Sequence, residues 1–493
     1  MKISTRASLP TPARKTPEAV LRAPSAPRIL HARSTTIAAM AESKTRLGVS
    51  AYAICTFIFI LGSNAMRNIF GWPVFLGLAV VLTAVGAVIF VRLKPERFRW
   101  YRLPAPLYWF LTLAVLSIAW SQYRFESVLG VIAQLATTFI AVVLAFVLTW
   151  HEVLRTLGTA LRYIIGFSFL FELIVSLFIR RPILPWWMEE PEGKVSKLLY
   201  WSRDLLFEGG PIQGVVASSV IFGFIGLLGL IIFSIQLRAG LVRKTTGTFW
   251  VLMAVATILL TRAATVWVAL AAVIVGLGLA LWARRLAPEK RPPLYVIGVT
   301  IVVAAVALVL FARNFVFGLL GKSGDMTGRL ETWEKVIALA EERPWFGWGW
   351  ISYWAPWVEP YQSLDVKAGL AVMSAHNAWL DVWLQLGIVG VLAFAPLVVL
   401  TLWRTWFRGV DPPRRGFGPP LPYATSALWP FLIMIALVVQ SLTESRLLIE
   451  GGWLLLVILA VKSRFDFQLP SRDAEPRKVP WRQVPIVTDT VSR

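Results

Sequence analysis

Apolar residues come in long runs, at 49–67, 72–91, 105–120, 127–148, 158–179, 212–236, 247–261, 263–283, 294–313, 377–403, 427–443 and 449–463. A helix needs about 20 such residues to cross a hydrocarbon core roughly 30 Å thick. Lipid offers no water to an exposed N–H or C=O, so repeated runs of this length predict helices that satisfy their own backbones. The pattern predicts an all-α polytopic membrane protein with about twelve transmembrane helices. The membrane domain would run from 49 to 463, flanked by polar tails at 1–48 and 464–493. The longest interval between runs is a loop at 314–376, between helices nine and ten.

The polar intervals alternate in charge. Arg92, Lys94, Arg97, Arg99 and Arg102 follow the second run; Arg238, Arg243 and Lys244 follow the sixth. Arg284, Arg285, Lys290 and Arg291 follow the eighth, and Arg404, Arg408, Arg414 and Arg415 the tenth. By contrast, 180–211 holds five basic and five acidic residues, and 313–376 holds six basic against seven acidic. Basic loops stay in the cytoplasm, which predicts cytoplasmic termini and two long extracytoplasmic loops. Residues 1–48 carry nine Lys or Arg against Glu18 and Glu42, with no apolar core to serve as a secretory signal. They read as a disordered basic cytoplasmic tail. A transit peptide is the alternative, and Met40 an alternative start.

Composition agrees with the pattern. Hydrophobic residues make up 57% and charged residues 15%, with a mean hydropathy of +0.67, against about 45–50% and about 25% in soluble domains. The formal net charge of +22 would suggest nucleic acid in a soluble chain, but here it is spread over alternate loops, and no nucleic-acid partner is expected. Cys55 is the single cysteine, which excludes an intramolecular disulfide and a cysteine metal site. There is no GxxxxGKS and no GxGxxG after a strand, so nucleotide hydrolysis is not expected. No histidine cluster and no DxD pair in the outer loops offers a metal site, and no cofactor is expected.

Of three histidines, His31 lies in the tail and His151 in a cytoplasmic loop, leaving His376 on the outer face. Imidazole accepts protons near neutrality, where Lys and Arg do not. The bland reading is a polar residue at a helix entrance. Asn377, Asp381 and Gln385 follow at helical spacing and give the tenth helix a polar face. That face would be costly against lipid, so it should line a wet cavity or pack within the bundle. Arg262 interrupts TILLTRAATVW at the join of the seventh and eighth runs. Arg329 opens GRLETWEKVIALAEER, where Leu330, Trp333, Ile337 and Ala340 predict a short amphipathic helix stopped by Pro344. Arginine forks suit phosphate oxygens; snorkelling or an ion pair is the alternative. An arginine in the first turn of that helix would oppose its dipole. The ring-rich run Trp345, Phe346, Trp348, Trp350, Tyr353, Trp354, Trp357 and Tyr361 suits a membrane interface and, at Trp348, Trp350 and Trp354, sugar stacking.

In order and spacing, GRLETW, ERPWFGWGW and AHNAWLDVWLQLG, with LLTRAA at 259–264 and LTESRLL at 442–448, resemble the O-antigen ligase and polymerase superfamily of bacterial envelope polysaccharide assembly. The resemblance covers a core from about 210 to 455. It implies that His376 is the catalytic base and that Arg262 and Arg329 hold a lipid pyrophosphate. Asn377, Asp381 and Glu444 would support them. This chain has Thr261 where the family commonly has serine, and Asp381 and Gln385 where it often has glutamate, which removes any acid role at Gln385. The implied activity is transfer of a glycan from a polyprenyl-pyrophosphate carrier, undecaprenyl pyrophosphate in bacteria, to a glycan or lipid acceptor at the outer face of the inner membrane. The product would be ligated O-antigen or a polymerised exopolysaccharide. The rival class is a multi-pass transporter, of bicarbonate or of lipid-linked sugar. It needs coupling charges deep in the bundle, for which Glu172 is the candidate.

Overall fold

The structure, a computed structural model, describes residues 27–95, 98–188, 196–197, 199–311, 324–367, 369–413 and 421–468. The chain divides into two units, Met1–Gly48 and Val49–Arg493. Helix α1 spans Pro27–Leu61, so 27–48 is helical where composition led to an expectation of disorder. Proline stands only at its first position, and its alanines and straight-chain Arg, Glu, Lys and Met favour helix. The outer parts of both expected tails, 1–26 and 469–493, lie outside the described residues, as does 312–323 of the outer loop.

Helices α2 (Ser63–Leu93), α3 (Ala105–Leu116), α4 (Arg124–Val147), α5 (Trp150–Ile174) and α6 (Ser219–Arg238) follow in order. Next come α7 (Lys244–Thr261), α8 (Ala264–Arg285) and α9 (Pro292–Phe311). Beyond the long loop's start lie α10 (Gly324–Glu342), the single turn α11 (Tyr361–Leu364), α12 (Ala378–Val410), α13 (Trp429–Ser441) and α14 (Glu450–Gln468). The only strands among the described residues are β1 (Val366–Lys367) and β2 (Leu370–Ala371), paired antiparallel. Every predicted apolar run therefore carries helix, and among the described residues eight helices are long and apolar enough to cross a membrane. The protein is an all-α, multi-pass membrane protein.

Residues 451–463 of α14 are buried throughout, as expected for a helix that is apolar on every side. The helix packs on α4, α12 and α13. Trp453 donates to Thr138 at 2.9 Å, and the Lys462 ammonium reaches the carbonyls of Ala145 and Leu148. α6 and α7 meet through the small residues Gly223, Gly226, Thr257 and Thr261, the composition that lets membrane helices approach closely.

The sixth helix starts at Ser219, later than the apolar run that begins at 212. The reason is Glu172, buried on α5, which accepts the N–H groups of Gln213 (2.9 Å) and Gly214 (2.7 Å) and the hydroxyl of Ser202 (2.7 Å). Those N–H groups have a stronger acceptor than a helix would give them, so the chain stays irregular until Ser218 caps α6.

Helix direction sorts the ends of the bundle. Arg284, in the last turn of α8, donates to the carbonyls of Gly409 (2.7 Å) and Ala424 (3.1 Å), and Arg291 pairs with Asp411 at 2.5 Å. This end is basic and holds the close of α12 and the approach to α13. The opposite end holds the α7–α8 hairpin, the start of α12, the close of α13 and the start of α14.

Candidate active site

The site is built on a break in α12. Gly387 has φ 66° and ψ −169° inside that helix, and the bonds that residues 388 and 389 would make to 384 and 385 are replaced. Trp348 and Gly349 donate to the carbonyls of Leu384 (3.0 Å) and Gln385 (2.8 Å), while Ile388 and Val389 donate to Pro344 (2.8 Å) and Trp345 (3.2 Å). The backbone of PWFGWG thus threads the gap and satisfies it. Gly387 and Gly347 are required, since a Cβ on either would come within 2.1 Å and 2.6 Å of facing backbone atoms. Gln385, fully buried, completes the seam: its side-chain oxygen accepts the N–H groups of Ile351 (2.9 Å) and Ser352 (3.1 Å).

His376 stands immediately before α12 in the left-handed region, φ 50°, which is costly for a residue with a Cβ. Its neighbours hold it there. The Asn377 side chain caps α12 by accepting from Trp379 (3.0 Å) and Leu380 (3.3 Å). The peptide of Ala375 is gripped at both ends: its N–H donates to Asp381 at 3.1 Å and its carbonyl accepts from the Trp333 indole at 2.8 Å. Asp381 also accepts from Trp354 at 2.8 Å and from the Ser445 hydroxyl. Because Ser445 follows Glu444, one carboxylate fastens the residue before His376 to the residue after Glu444.

Glu444 is the centre of the cluster. One of its oxygens receives Arg329 Nη2 at 2.8 Å and the other lies 3.2 Å from His376 Nδ1. Arg329 also donates to the Thr443 carbonyl at 2.7 Å. Burial opposes ionisation of Glu444, but the hydrogen bond from His376 and the charges of His376, Arg329 and Arg446 outweigh it and hold the carboxyl below its ordinary range. An ionised carboxylate only accepts, so Nδ1 carries the proton in the neutral imidazole and Nε2 keeps the lone pair. His376 is 37% exposed while Glu444 and Arg329 are each 11% exposed, so the imidazole faces outward from a largely covered ion pair.

α10 begins at Gly324, which puts Arg329 in its second turn rather than the first; the expected clash with the dipole does not arise, and Glu444 answers the charge. The helix is anchored below by Asp365, which accepts from Thr332 (2.6 Å) and Lys335 (2.7 Å). Burial raises Asp365, but the hydrogen bonds of Lys335 and Thr332 and the charge of Lys367 bring it below the ordinary carboxylate range.

Arg262 is the left-handed residue, φ 48°, that closes α7 and turns the chain into α8. It is exposed, makes no side-chain hydrogen bond or ion pair among the described residues, and its guanidinium lies against Gly209. It shares the bundle end of His376 and Arg329, but no described bond joins it to Glu444. The expected sugar-stacking rings are not available: Trp350 and Trp354 are fully buried and Trp348 nearly so. Trp348 and Trp354 belong to the loop's own core, where Trp354 stacks on Tyr361 at 5.4 Å and Arg343 lies over Trp348 at 4.1 Å, while Trp350 enters the bundle core against Phe110 at 5.3 Å. The exposed rings of that run are Trp345, Phe346 and Trp357. Likewise Asp381 and Gln385 line no wet cavity; both are buried and spent on loop donors. Glu172 is equally saturated, which leaves no free carboxylate there for ion coupling. Ser445 and Trp333 went unforeseen, although Ser445 lies in the LTESRLL string.

Residues 249–395 match the family model described as O-antigen ligase. No curated protein matches the sequence. The matched segment runs from α7 through the loop to the middle of α12 and so contains Arg262, Arg329 and His376, while Glu444 lies beyond it. Residues 249–395 are therefore an O-antigen ligase domain, and that match supports the resemblance of the chain to the O-antigen ligase superfamily.

Proposed function

We propose that this protein transfers a glycan from a polyprenyl-pyrophosphate carrier to an acceptor hydroxyl at the extracytoplasmic face of the bacterial inner membrane, as a ligase or as a polymerase. The observation that supports this most is the single carboxylate, Glu444, on which the imidazole of His376 and the guanidinium of Arg329 converge. They do so at the bundle end opposite the basic loops, the end that the charge rule assigns to the outside.

In this reading the acceptor oxygen attacks the anomeric carbon of the donor glycan. Its proton passes to His376 Nε2, whose lone pair Glu444 keeps available by holding the opposite nitrogen protonated. The bond from the anomeric carbon to the pyrophosphate oxygen breaks, and the lipid pyrophosphate departs with that electron pair. Arg329 and Arg262 stabilise its growing charge. The activated carrier supplies the free energy, so the scheme uses neither nucleotide nor metal ion. Glu444 is a positioning residue here.

The test is transfer by purified full-length protein, given lipid-pyrophosphate glycan and candidate acceptors. His376→Ala and Arg329→Ala should lose product while remaining inserted in the membrane. Arg262→Gln, at an exposed position, should raise the donor KM with its melting temperature unchanged. Movement of substrate across a vesicle membrane without any glycosidic product would favour a carrier instead.

A further inference from the structure

A second cationic cluster adjoins the first, and the reaction scheme leaves it unused. The short first piece of α2, before the break at Gly71 (φ 74°), presents Arg67. Its Nη1 meets Glu450 at 2.8 Å, and its guanidinium lies 5.1 Å and 5.2 Å from the ring centres of Trp72 and Phe75. Arg446 pairs with the other oxygen of Glu450, which also accepts from Ser63 at 2.6 Å. Two guanidinium groups thus share one carboxylate, leaving an excess positive charge. Arg67 and Arg446 are 14% and 20% exposed, so the cluster is partly open. Arg446 directs only Nη1 to Glu450; its Nε and Nη2 make no hydrogen bond among the described residues.

An independent feature points to a missing partner. The Tyr353 hydroxyl is buried beside Glu450, close enough to interact but without good hydrogen-bond geometry, and lies within electrostatic reach of Arg446 and Arg67. A buried polar hydrogen left unused is costly, and an oxyanion held by the two arginines would accept it. Arg446 also acts on Glu444, so this cluster and the imidazole lie on two sides of one short turn, Ser445–Leu448.

We infer that Arg67, Arg446 and Tyr353 form an anion subsite for the acceptor, which is a glycan bearing a phosphate or carboxylate group. This rests on the glycosyl-transfer reading. Arg329 and Arg262 serve the donor diphosphate, and the acceptor approaches His376 from the side of Arg446. Fork-shaped donors with a phenol beside them suit a planar or tetrahedral oxyanion.

The test uses full-length protein in nanodiscs and three probes: methyl glucoside 6-phosphate, methyl glucuronide and methyl glucoside. The phosphate or the carboxylate probe should bind at least about tenfold more tightly than the neutral sugar, and whichever binds names the anion. Arg67→Gln and Arg446→Gln should each lose about tenfold, and Tyr353→Phe severalfold, while Arg329→Gln retains binding. Should the arginine variants fail to fold, Tyr353→Phe decides, because it leaves the ion pairs whole. Equal binding of all three probes, an unaffected Tyr353→Phe, or loss in Arg329→Gln alone would overturn the subsite. Failure of the transfer reading looks different: wild-type protein binds the anionic probe but forms no glycosidic bond from the lipid donor.

Discussion

Asp381 accepts the peptide N–H of Ala375 at 3.1 Å, and so fixes the residue before His376 to the first turn of the helix that His376 introduces. All three partners of this carboxylate donate: Ala375, Trp354 and Ser445. Asparagine at 381 has the same shape but one acceptor oxygen, and would turn an amide N–H₂ against a donor. Asp381→Asn should destabilise the protein by about 1–3 kcal/mol and lower kcat, with donor KM little altered. Thermal unfolding and steady-state kinetics of the variant read both.

Glu444→Gln discriminates a positioning role from a merely structural one. Arg329 would draw the amide oxygen, which turns the amide N–H₂ towards His376 and makes Nδ1 an acceptor. The proton then moves to Nε2 and the base is lost. Transfer should fall by about 10²–10⁴, with most of the stability kept because the contact to Arg329 survives. Nitrogen-15 chemical shifts of the ring should report the exchange of tautomers.

Acid sensitivity follows from two carboxylates. Glu444 and Asp365 are both held below their ordinary range when folded, so each adds stability that is complete above the unfolded value of about 4. That stability drains away as pH falls through the lower, folded value. The melting temperature should be level above about pH 5.5 and decline below about pH 4. Glu444→Gln should make the decline shallower.

Gly387→Ala should be among the most damaging single changes. The new methyl would sit 2.1 Å from the carbonyl of Trp345, at a φ of 66°. The conformation alone costs about 1–3 kcal/mol, and the inserted segment must also move. Loss of transfer together with faster proteolysis within 344–349 would be the signature. Intact activity would show that the seam is dispensable.

The helices were legible because lipid leaves a hydrophobic run few alternatives, and so were the residues that break those runs with charge, Arg262 above all. The convergence on Glu444 is not legible from spacing: it lies 68 residues from His376 and 115 from Arg329, and only the family-like string LTESRLL singles it out. The polar line Asn377, Asp381, Gln385 was read correctly as facing away from lipid. Its partners come from the preceding loop and, at Ser445, from the turn after α13, both remote in sequence, so spacing suggests a cavity where donors are packed. Tryptophan density misleads for a similar reason: rings such as Trp350 and Trp354 serve a surface or an interior equally well, and only their enclosure, by Phe110 for the first and Tyr361 for the second, decides.

The gap at Gly387 also bears on biosynthesis. As α12 leaves the insertion machinery, its carbonyls at 384 and 385 and its amides at 388 and 389 have no mates within the helix, and hydrocarbon supplies none. The segment that quenches them, 344–349, is made earlier and, in the proposed topology with this loop outside, must already be across the bilayer. In that topology, maturation of this helix is tied to export of the chain before it, and a stalled loop would leave a polar wound in the membrane.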